Sequence, residues 1–594
     1  MEANMSDFLD PVYRQTFRHT SSHIMAHAVK RLFPEAKLAI GPAIDNGFYY
    51  DFDYDGTFTT DDLKKIETEM KKIVKDKLKV ERFELSREEA RELMLEKGET
   101  YKVELIDELP EGETISFYKQ GDFVDLCAGP HLDNTGEVKA FKLTQVAGAY
   151  WRGNEKNKML QRIYGTSFPD KLQLKEYLEK LEEARKRDHN KIGRELGFFT
   201  TVDYIGQGLP IMLPKGAKTL QILQRFVEDE EEKRGYLITK TPFMAKSDLY
   251  KISGHWQHYR DGMFIIGDEN KADEEEVLAL RPMTCPFQFQ AYLQRTRSYR
   301  DLPIRYAETS TLFRNESSGE MHGLIRVRQF TISEGHLVCA PDQLEQEFSG
   351  ALNLANFMLK AVGLDDDVSY RFSLWDPAKT DKYIGDAAQW EAVQDTMKQI
   401  LDKMSLDYET ATGEAAFYGP KLDIQIKNVF GKEDTLITIQ IDFQLAERFG
   451  MFYTDSNGER KHPYIIHRTS IGCYERTLAL LIEKYAGALP LWLAPEQARI
   501  LAISEKHADA AHELAAVLKE ANIRVEVDDR AEKIGKKIRE AQMEKVHYML
   551  VLGDQEVENK TVAVRSRLHG DLGSMTHDQL VAKMQQEVRD RINK

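Results

Sequence analysis

The stretch "TLITIQIDFQL" (residues 435–445) decides how the chain folds. It is a β-rich run, and it lies in the largest block of the sequence, residues 193–493, where several such runs are set among long helices. The block lacks the regular βαβα alternation of a parallel sheet. That predicts a mainly antiparallel sheet flanked by helices. Downstream, residues 494–594 change character: "ARILAIS", "IRVEVDD" and "HYMLVLG" are compact apolar strands separated by the helical stretches "HADAAHELAAVLKEA" and "EKIGKKIREAQMEK". This segment reads as a small α/β domain with a largely parallel sheet, entered through a hinge at "LPLWLAPEQ" (489–497) with its two prolines. Upstream, residues 1–168 mix short alternating segments such as "GFYYDFDYD" (47–55) with amphipathic helices such as "DLKKIETEMKKIVKDKL", the pattern of an α+β unit. Leu174, Tyr177, Leu178 and Leu181 then fall at helical spacing, so residues 169–192 read as a connecting helix. The expected class is an α+β multidomain protein.

Bulk properties agree. A chain of 594 residues exceeds what one hydrophobic core supports, and 42% hydrophobic with 30% charged residues is a globular composition. No apolar run approaches a membrane span, and residues 1–18 carry acids where a signal or transit peptide would not, which places the chain in the cytosol. Four cysteines, at 127, 285, 339 and 473, argue against a disulfide framework. The net charge of −16 weighs against a protein that coats DNA regardless of sequence, while leaving room for a nucleic acid held by local basic faces. The acid runs "EDEEEKR" (228–234) and "DENKADEEE" (268–276) read as solvated faces or loops. Repeats, a Walker loop and a GxGxxG fingerprint are absent.

Three stretches can carry chemistry. "HTSSHIMAH" (19–27) sets His19, His23 and His27 on nearly one helical face, and "DLCAGPH" spaces Cys127 and His131 four apart around a Gly129-Pro130 turn. These pairs can form a tetrahedral metal site, a pocket whose imidazoles position a water, or no site at all; the residues alone leave the three open. "FRNESSGEMHGLIRVRQF" (313–330) packs Arg314, Arg326 and Arg328 around a glycine-containing loop and ends in Phe330, side chains suited to phosphate forks and base stacking. "GCYERTLALLIE" (472–483) places Arg476 at the start of an apolar helix.

"FRNE" closing with "RVRQF", together with "GCYER", resembles motifs 2 and 3 of the class II aminoacyl-tRNA synthetases, and "KRGYLITKTPFM" (233–244) resembles motif 1 with its proline at Pro242. "KISGHWQHY" (251–259), "RPMTCP" (281–286), "AFYGPKLDIQI" (416–426) and "HRTSIGCYER" (467–476) are similar to the threonyl-tRNA synthetases, and the histidine pair with "DLCAGPH" resembles their editing domain. The resemblance implies a class II catalytic sheet, an N-terminal editing domain and a C-terminal anticodon-binding domain. It implies ATP-dependent attachment of L-threonine to tRNA(Thr) through threonyl-adenylate, with hydrolysis of mischarged seryl-tRNA(Thr).

The same resemblance implies residue roles. A zinc ion falls to Cys285, His336 and His467, which spacing alone does not reveal because the three are scattered. Three protein ligands leave an open position for the amino and β-hydroxyl groups of threonine. Polar ligation excludes valine, but serine differs by one methyl, so a second, hydrolytic site is needed. His19, His23, Cys127 and His131 would line it, with Asp125 and Lys142 as neighbours; the competing reading is a second zinc held by those four. Arg314 falls to the ATP α-phosphate, Glu316 to the adenine amino group, Phe330 to stacking, and Arg476 to the base and γ-phosphate, with Arg326 in the same motif and Mg²⁺ accompanying ATP. Met283, Tyr418, Lys421 and Gln440 match positions around the amino acid and adenylate, and Glu556 and Arg565 match positions that read the anticodon. Arg567 is expected on phosphate or in solvent. Motif 1 implies a homodimer. Departures from the family pattern are Glu334 in place of the usual aspartate, Cys473 in place of serine, Ala531, and "DTLITI" before Gln440. The chain also reads as a form without the small N-terminal ubiquitin-like domain. A non-catalytic tRNA- or mRNA-binding paralogue is the alternative, but it would be expected to lose Arg314, Arg476 or a zinc ligand, and all are present.

Overall fold

The computed structural model describes residues 7–154, 156–268 and 276–593, so most of the acid run 268–276 lies outside the described residues. The chain divides into two compact units, Met1–Glu182 and Glu183–Lys594.

In the first unit, Asp10 caps the helix Pro11–Leu32 by accepting from the Val12 amide, and Pro11 presets its first turn. The middle of this helix is buried on both its apolar and its polar side, so His23 and His27 are interior groups and His19 is half-buried, which is not a solvated stripe. It belongs to one core with the strand Gly47–Asp53, which pairs antiparallel with Met159–Phe168; that strand in turn pairs with Ala140–Tyr150. A second antiparallel sheet is formed by Val80–Leu85, Ile115–Gln120 and Phe123–Leu126, and its last strand delivers Cys127. The expected α+β unit is what forms.

The second unit is built on eight strands in the order Leu237–Ile238, Ile304–Phe313, Gln329–Cys339, Tyr464–Cys473, Glu433–Asp442, Lys421–Lys427, Val368–Leu374 and Glu409–Thr412. Only the outermost pair at each end is parallel; every inner pair is antiparallel, as "TLITIQIDFQL" predicts. Ile437, Ile439 and Ile441 of that stretch are fully buried in one core with Phe348, Leu352 and Leu359 of the helix Leu344–Val362. Each such side chain contributes about 1.5–3 kcal/mol by leaving water.

Four expectations need correction. The C-terminal sheet, ordered Val525–Asp528, Ala498–Ala502, Tyr548–Leu552, Thr561–Ser566, Gly570–Thr576, is parallel only across its first three strands. The helices Ala508–Glu520 and Ile534–Met543 permit parallel crossovers, whereas the connections after Leu552 are too short and the chain returns antiparallel. The connecting helix is two helices, Lys171–Arg187 and His189–Glu195, because the Asp188 carboxylate caps a new start at the Asn190 amide. In the run 228–234, Glu230 and Glu231 are buried, and Glu231 accepts from the buried Arg468 at 2.7 Å.

The fourth concerns 489–497, which is no hinge. Leu489, Leu491, Trp492 and Leu493 are buried, the Trp492 ring lies 5.2 Å from Phe226, and Arg524 donates to the carbonyls of Trp492 and Ala494 at 2.9 and 2.8 Å. Trp492→Ala is therefore expected to lower stability by about 3–5 kcal/mol, read as a drop in the denaturant midpoint of the second unit; an unchanged midpoint would mean the segment is a loose linker after all. Among the described residues, no helix is long and apolar enough to cross a membrane.

Candidate functional site

A cleft of about 350 Å³ opens on the eight-stranded sheet. At one end the adjacent strands Gln329–Cys339 and Tyr464–Cys473 place His336 directly opposite His467, with ring centroids 4.6 Å apart. Cys285 is the first residue of the helix Cys285–Tyr292, and its thiol meets the two imidazoles so that one donor atom from each lies within 4.8 Å of the others. His336 is held through Nδ1, 2.6 Å from Gln288 Oε1, while its Nε2 is buried with no hydrogen-bond partner. His467 Nε2 lies 2.9 Å from Asp442 Oδ2, and the other Asp442 oxygen accepts from the Gln444 and Leu445 amides, both at 2.9 Å. Burial pushes the Cys285 thiol well up, helped by the Glu334 and Asp442 charges, and pushes His336 well down. A buried sulfur, an orphaned ring nitrogen and outer partners that aim the rings make a donor set that fits zinc.

The arginine motifs face the same cleft. Arg314 sits 5.1 Å from the centre of the Phe330 ring, and Arg476 is pinned by the carbonyls of Ile325 and Thr435. The Glu316 carboxylate accepts from Arg326 at 2.8 Å, and its backbone carbonyl accepts from Arg328. Cys473, where the family pattern has serine, packs its thiol against Phe330, Val327 and Leu312. Nearer the Cys/His/His end, Met283 lines the cleft, the Tyr418 hydroxyl donates to Gln440 Oε1, and Lys421 pairs with Asp423 at 2.7 Å. Glu334 accepts from the Thr284 amide at 3.0 Å, tying its strand to the helix that bears Cys285. The predicted catalytic residues are thus brought together; the supports Gln288 and Asp442 carry no sequence signal of their own.

In the first unit, His19, His23, Cys127 and His131 converge within 4.8 Å. Cys127 Sγ lies 3.4 Å from His19 Nε2 and 3.3 Å from His131 Nε2, and it accepts from the Gly129 amide at 3.3 Å. Burial lowers all three imidazole pKa values and pushes the thiol up to about 12, so all four side chains are neutral near pH 7. His27, one turn further along, leaves the cluster and meets Asp122 at 2.9 Å. Asp125 is fully buried behind His23 at 3.6 Å, accepts from the Tyr50 hydroxyl, and pairs with a buried lysine at 2.8 Å. That lysine is Lys102. The expected neighbour Lys142 instead pairs with Glu67 at 2.8 Å. Lys102 lies on the helix Thr100–Glu108, in a stretch where nothing distinguishes it from the surrounding charges.

A third convergent group, Asp188, His189 and Glu483, has both ring nitrogens engaged: Nδ1 with Glu483 at 2.7 Å and Nε2 accepting from the Leu324 amide at 3.2 Å. It braces the fold. In the C-terminal domain, Arg565 is exposed on the strand Thr561–Ser566, while Glu556 caps the helix Asp554–Asn559 through the Gly553 amide. Arg567 is half-buried and donates to the Ala488, Leu489 and Lys545 carbonyls.

Comparison with known families matches residues 115–164 to the threonyl and alanyl tRNA synthetase second additional domain, 266–485 to the tRNA synthetase class II core domain (G, H, P, S and T), and 497–587 to the anticodon binding domain. The threonine–tRNA ligase of Clostridium perfringens strain SM101 is 63% identical over 580 residues, covering 98% of this chain and 90% of that one. That of Acetivibrio thermocellus is 50% identical over 590 residues, covering 99% and 91%. Among solved structures, the RNA binding domain of threonyl-tRNA synthetase from Cryptosporidium parvum is 35% identical with a TM-score of 0.63, covering 67% of this chain and 98% of that one.

Proposed function

We propose, from the premise that this chain belongs to the threonine–tRNA ligase family, that its residues divide the family's work between the cleft and the His/Cys cluster. The chain joins L-threonine to tRNA(Thr) with ATP and edits mischarged seryl-tRNA(Thr). In the first step the threonine carboxylate attacks the α-phosphorus of ATP and pyrophosphate leaves; in the second the tRNA hydroxyl takes the acyl group and AMP leaves. One observation carries the site reading: both motif arginines line one cleft with Cys285 and His467, and the buried His336 converges with those two donors.

Arg314 would oppose the charge that builds on the α-phosphate, together with Mg²⁺ brought by ATP. Phe330 offers the stacking surface for adenine, Glu316 is steadied by Arg326 to meet the adenine amino group, and Arg476, fixed by two carbonyls, needs no rearrangement to meet the base and γ-phosphate. Because Tyr418 gives its proton to Gln440 Oε1, the tyrosine oxygen is left to accept from an ammonium, and the Gln440 amide N–H is left to donate toward the adenylate. Lys421, anchored by Asp423, and Met283 and Glu334 complete the amino-acid end. Cys285, His336 and His467 would hold a zinc ion, which would supply Lewis-acid ligation for the amino and β-hydroxyl groups of threonine. Valine, lacking the hydroxyl, is rejected by up to ~10⁴–10⁵-fold, while serine, missing only a methyl, is disfavoured by only roughly 10–200-fold.

That shortfall gives the first unit its task. Neutral His19, His23 and His131 are poor bases but good acceptors, so they orient a water toward the seryl ester, with the Cys127 thiol closing the pocket. Arg565, and Glu556 on the helix that precedes its strand, are the side chains offered to anticodon bases, whose edges are open in single-stranded RNA. The edge strand Leu237–Ile238 and the following Phe243 are exposed at 56%, 46% and 49%, an apolar edge that supports pairing with a second copy. Four free thiols support a reducing cytoplasmic location.

The test uses the full chain with pre-charged seryl-tRNA(Thr). Deacylation that persists in chelator, alongside threonine charging in zinc, is the expected result. Deacylation abolished by chelator and restored by zinc would replace the water pocket with a second metal site.

A further inference from the structure

The amide of Gln288 sits between the metal donors and the polar interior, and the direction of the hydrogen bonds through it is determined. Glu308, buried and paired with Arg281 at 3.0 Å, has a carboxylate that accepts from its neighbours. The Thr239 hydroxyl donates toward Glu308 Oε2 at 3.0 Å; its other neighbour, the Ala307 carbonyl at 3.3 Å, is also only an acceptor. The Thr239 oxygen is therefore left to accept, and Gln288 Nε2 donates to it at 2.7 Å. This fixes which way the glutamine amide points. Its carbonyl oxygen faces His336 Nδ1 at 2.6 Å, and a carbonyl cannot donate, so Nδ1 carries the proton. The lone pair is then on Nε2, which is buried without a hydrogen bond and faces Cys285 and His467; the Glu334 carboxylate stands 3.8 Å from it, beyond hydrogen-bond reach.

We infer that Gln288 is a positioning residue of the Cys285/His336/His467 site, which sets the tautomer of His336 through a directed chain from Glu308 by way of Thr239. The inference rests on the reading of those three residues as a zinc site. The opposite tautomer would break the Gln288 bond and turn an N–H toward the ion. The chain also explains the burial of polar side chains at this point: Gln288, His336, Glu308 and Arg281 are all buried, and each has its partner within the chain.

The experiment measures zinc affinity of the full-length protein by chelator competition, with histidine ¹⁵N spectra of the metal-free protein beside it. Gln288→Met keeps the length and removes the acceptor; it is expected to weaken zinc binding by about 10–100-fold, the usual effect of losing such a partner, and to split His336 between two tautomers. Gln288→Glu, which keeps an acceptor toward Nδ1, is expected to recover most of the affinity. Thr239→Val, which never approaches the ion, is expected to mix the tautomers as well. The denaturant midpoint of the second unit, which holds Gln288 and Thr239, reports that each variant is folded. Zinc bound by Gln288→Met within about twofold of wild type, or a wild-type His336 protonated on Nε2, would overturn the inference. A wild-type protein that binds no zinc at all would overturn the metal reading itself, and the tautomer measured without metal would still judge Gln288.

Discussion

Replacing Cys285 with alanine is expected to abolish zinc binding at the proposed Cys285/His336/His467 site and to lower threonine-dependent ATP–pyrophosphate exchange by ~10³-fold, in line with the several kcal/mol a bound metal supplies. Two imidazoles remain, their ring centroids 4.6 Å apart on paired strands, and His336 Nε2 is left buried without a hydrogen bond. The ligand count that gives an open, substrate-engaging position is lost. With it goes the polar discrimination against valine, worth up to ~10⁴–10⁵-fold, so the residual exchange of the variant should no longer prefer threonine to valine. ATP binding is expected to survive, because Arg314, Phe330 and Arg476 are held by contacts that do not involve the thiol. Metal analysis, exchange with both amino acids and ATP binding together check this. A variant that keeps its ion, or loses ATP and threonine alike, would contradict the division of the cleft into two ends.

The second large effect belongs to the pair behind the editing cluster. Lys102 and Asp125 meet at 2.8 Å with almost no access to solvent. Lys102→Met is expected to cost about 3–5 kcal/mol, because it leaves the Asp125 carboxylate charged in a dry interior with no cation beside it, only the Tyr50 hydroxyl and the neutral His23 ring at 3.6 Å. Asp125→Asn strands the ammonium in the same way. The double variant Lys102→Met/Asp125→Asn removes both charges and is expected to recover most of the stability, since a buried ion pair adds little over neutral packing. Its deacylation of seryl-tRNA is expected to stay low, for His23 no longer has a carboxylate to fix its ring. Unfolding midpoints and deacylation rates read the two effects separately. Single variants as stable as wild type, or a double variant that edits normally, would contradict the assignment.

How far the sequence could be read depended on how far apart the partners lie in it. Arg314, Glu316, Arg326 and Phe330 fall within one short stretch, so their residue types and order carried their chemistry, and the absence of βαβα alternation around the strand at 435–445 pointed to an antiparallel sheet. The three residues proposed to hold zinc did not carry theirs in this way. Cys285, His336 and His467 belong to a helix and two strands that are neighbours only in space, so their meeting was implied by resemblance and not by spacing. Lys102 was missed for the same reason: it approaches Asp125 only when the helix Thr100–Glu108 folds back on the sheet, while Lys142, nearer in sequence, had Glu67 to bind. Segment 489–497 misled through its prolines, which mark turns whether a segment is solvated or, as here, buried around Trp492. Parallel order in the C-terminal sheet was over-extended because apolar strands look alike on either side of Leu552, and only the shorter connections after it reverse the direction.

The most direct test of the account is the metal content of the purified full-length chain, measured together with ATP–pyrophosphate exchange for threonine, serine and valine. The account predicts one zinc per chain, exchange with threonine and, less efficiently, with serine, and none above background with valine. A chain that holds no zinc while exchanging threonine at full rate, or that activates valine as readily as threonine, would contradict it.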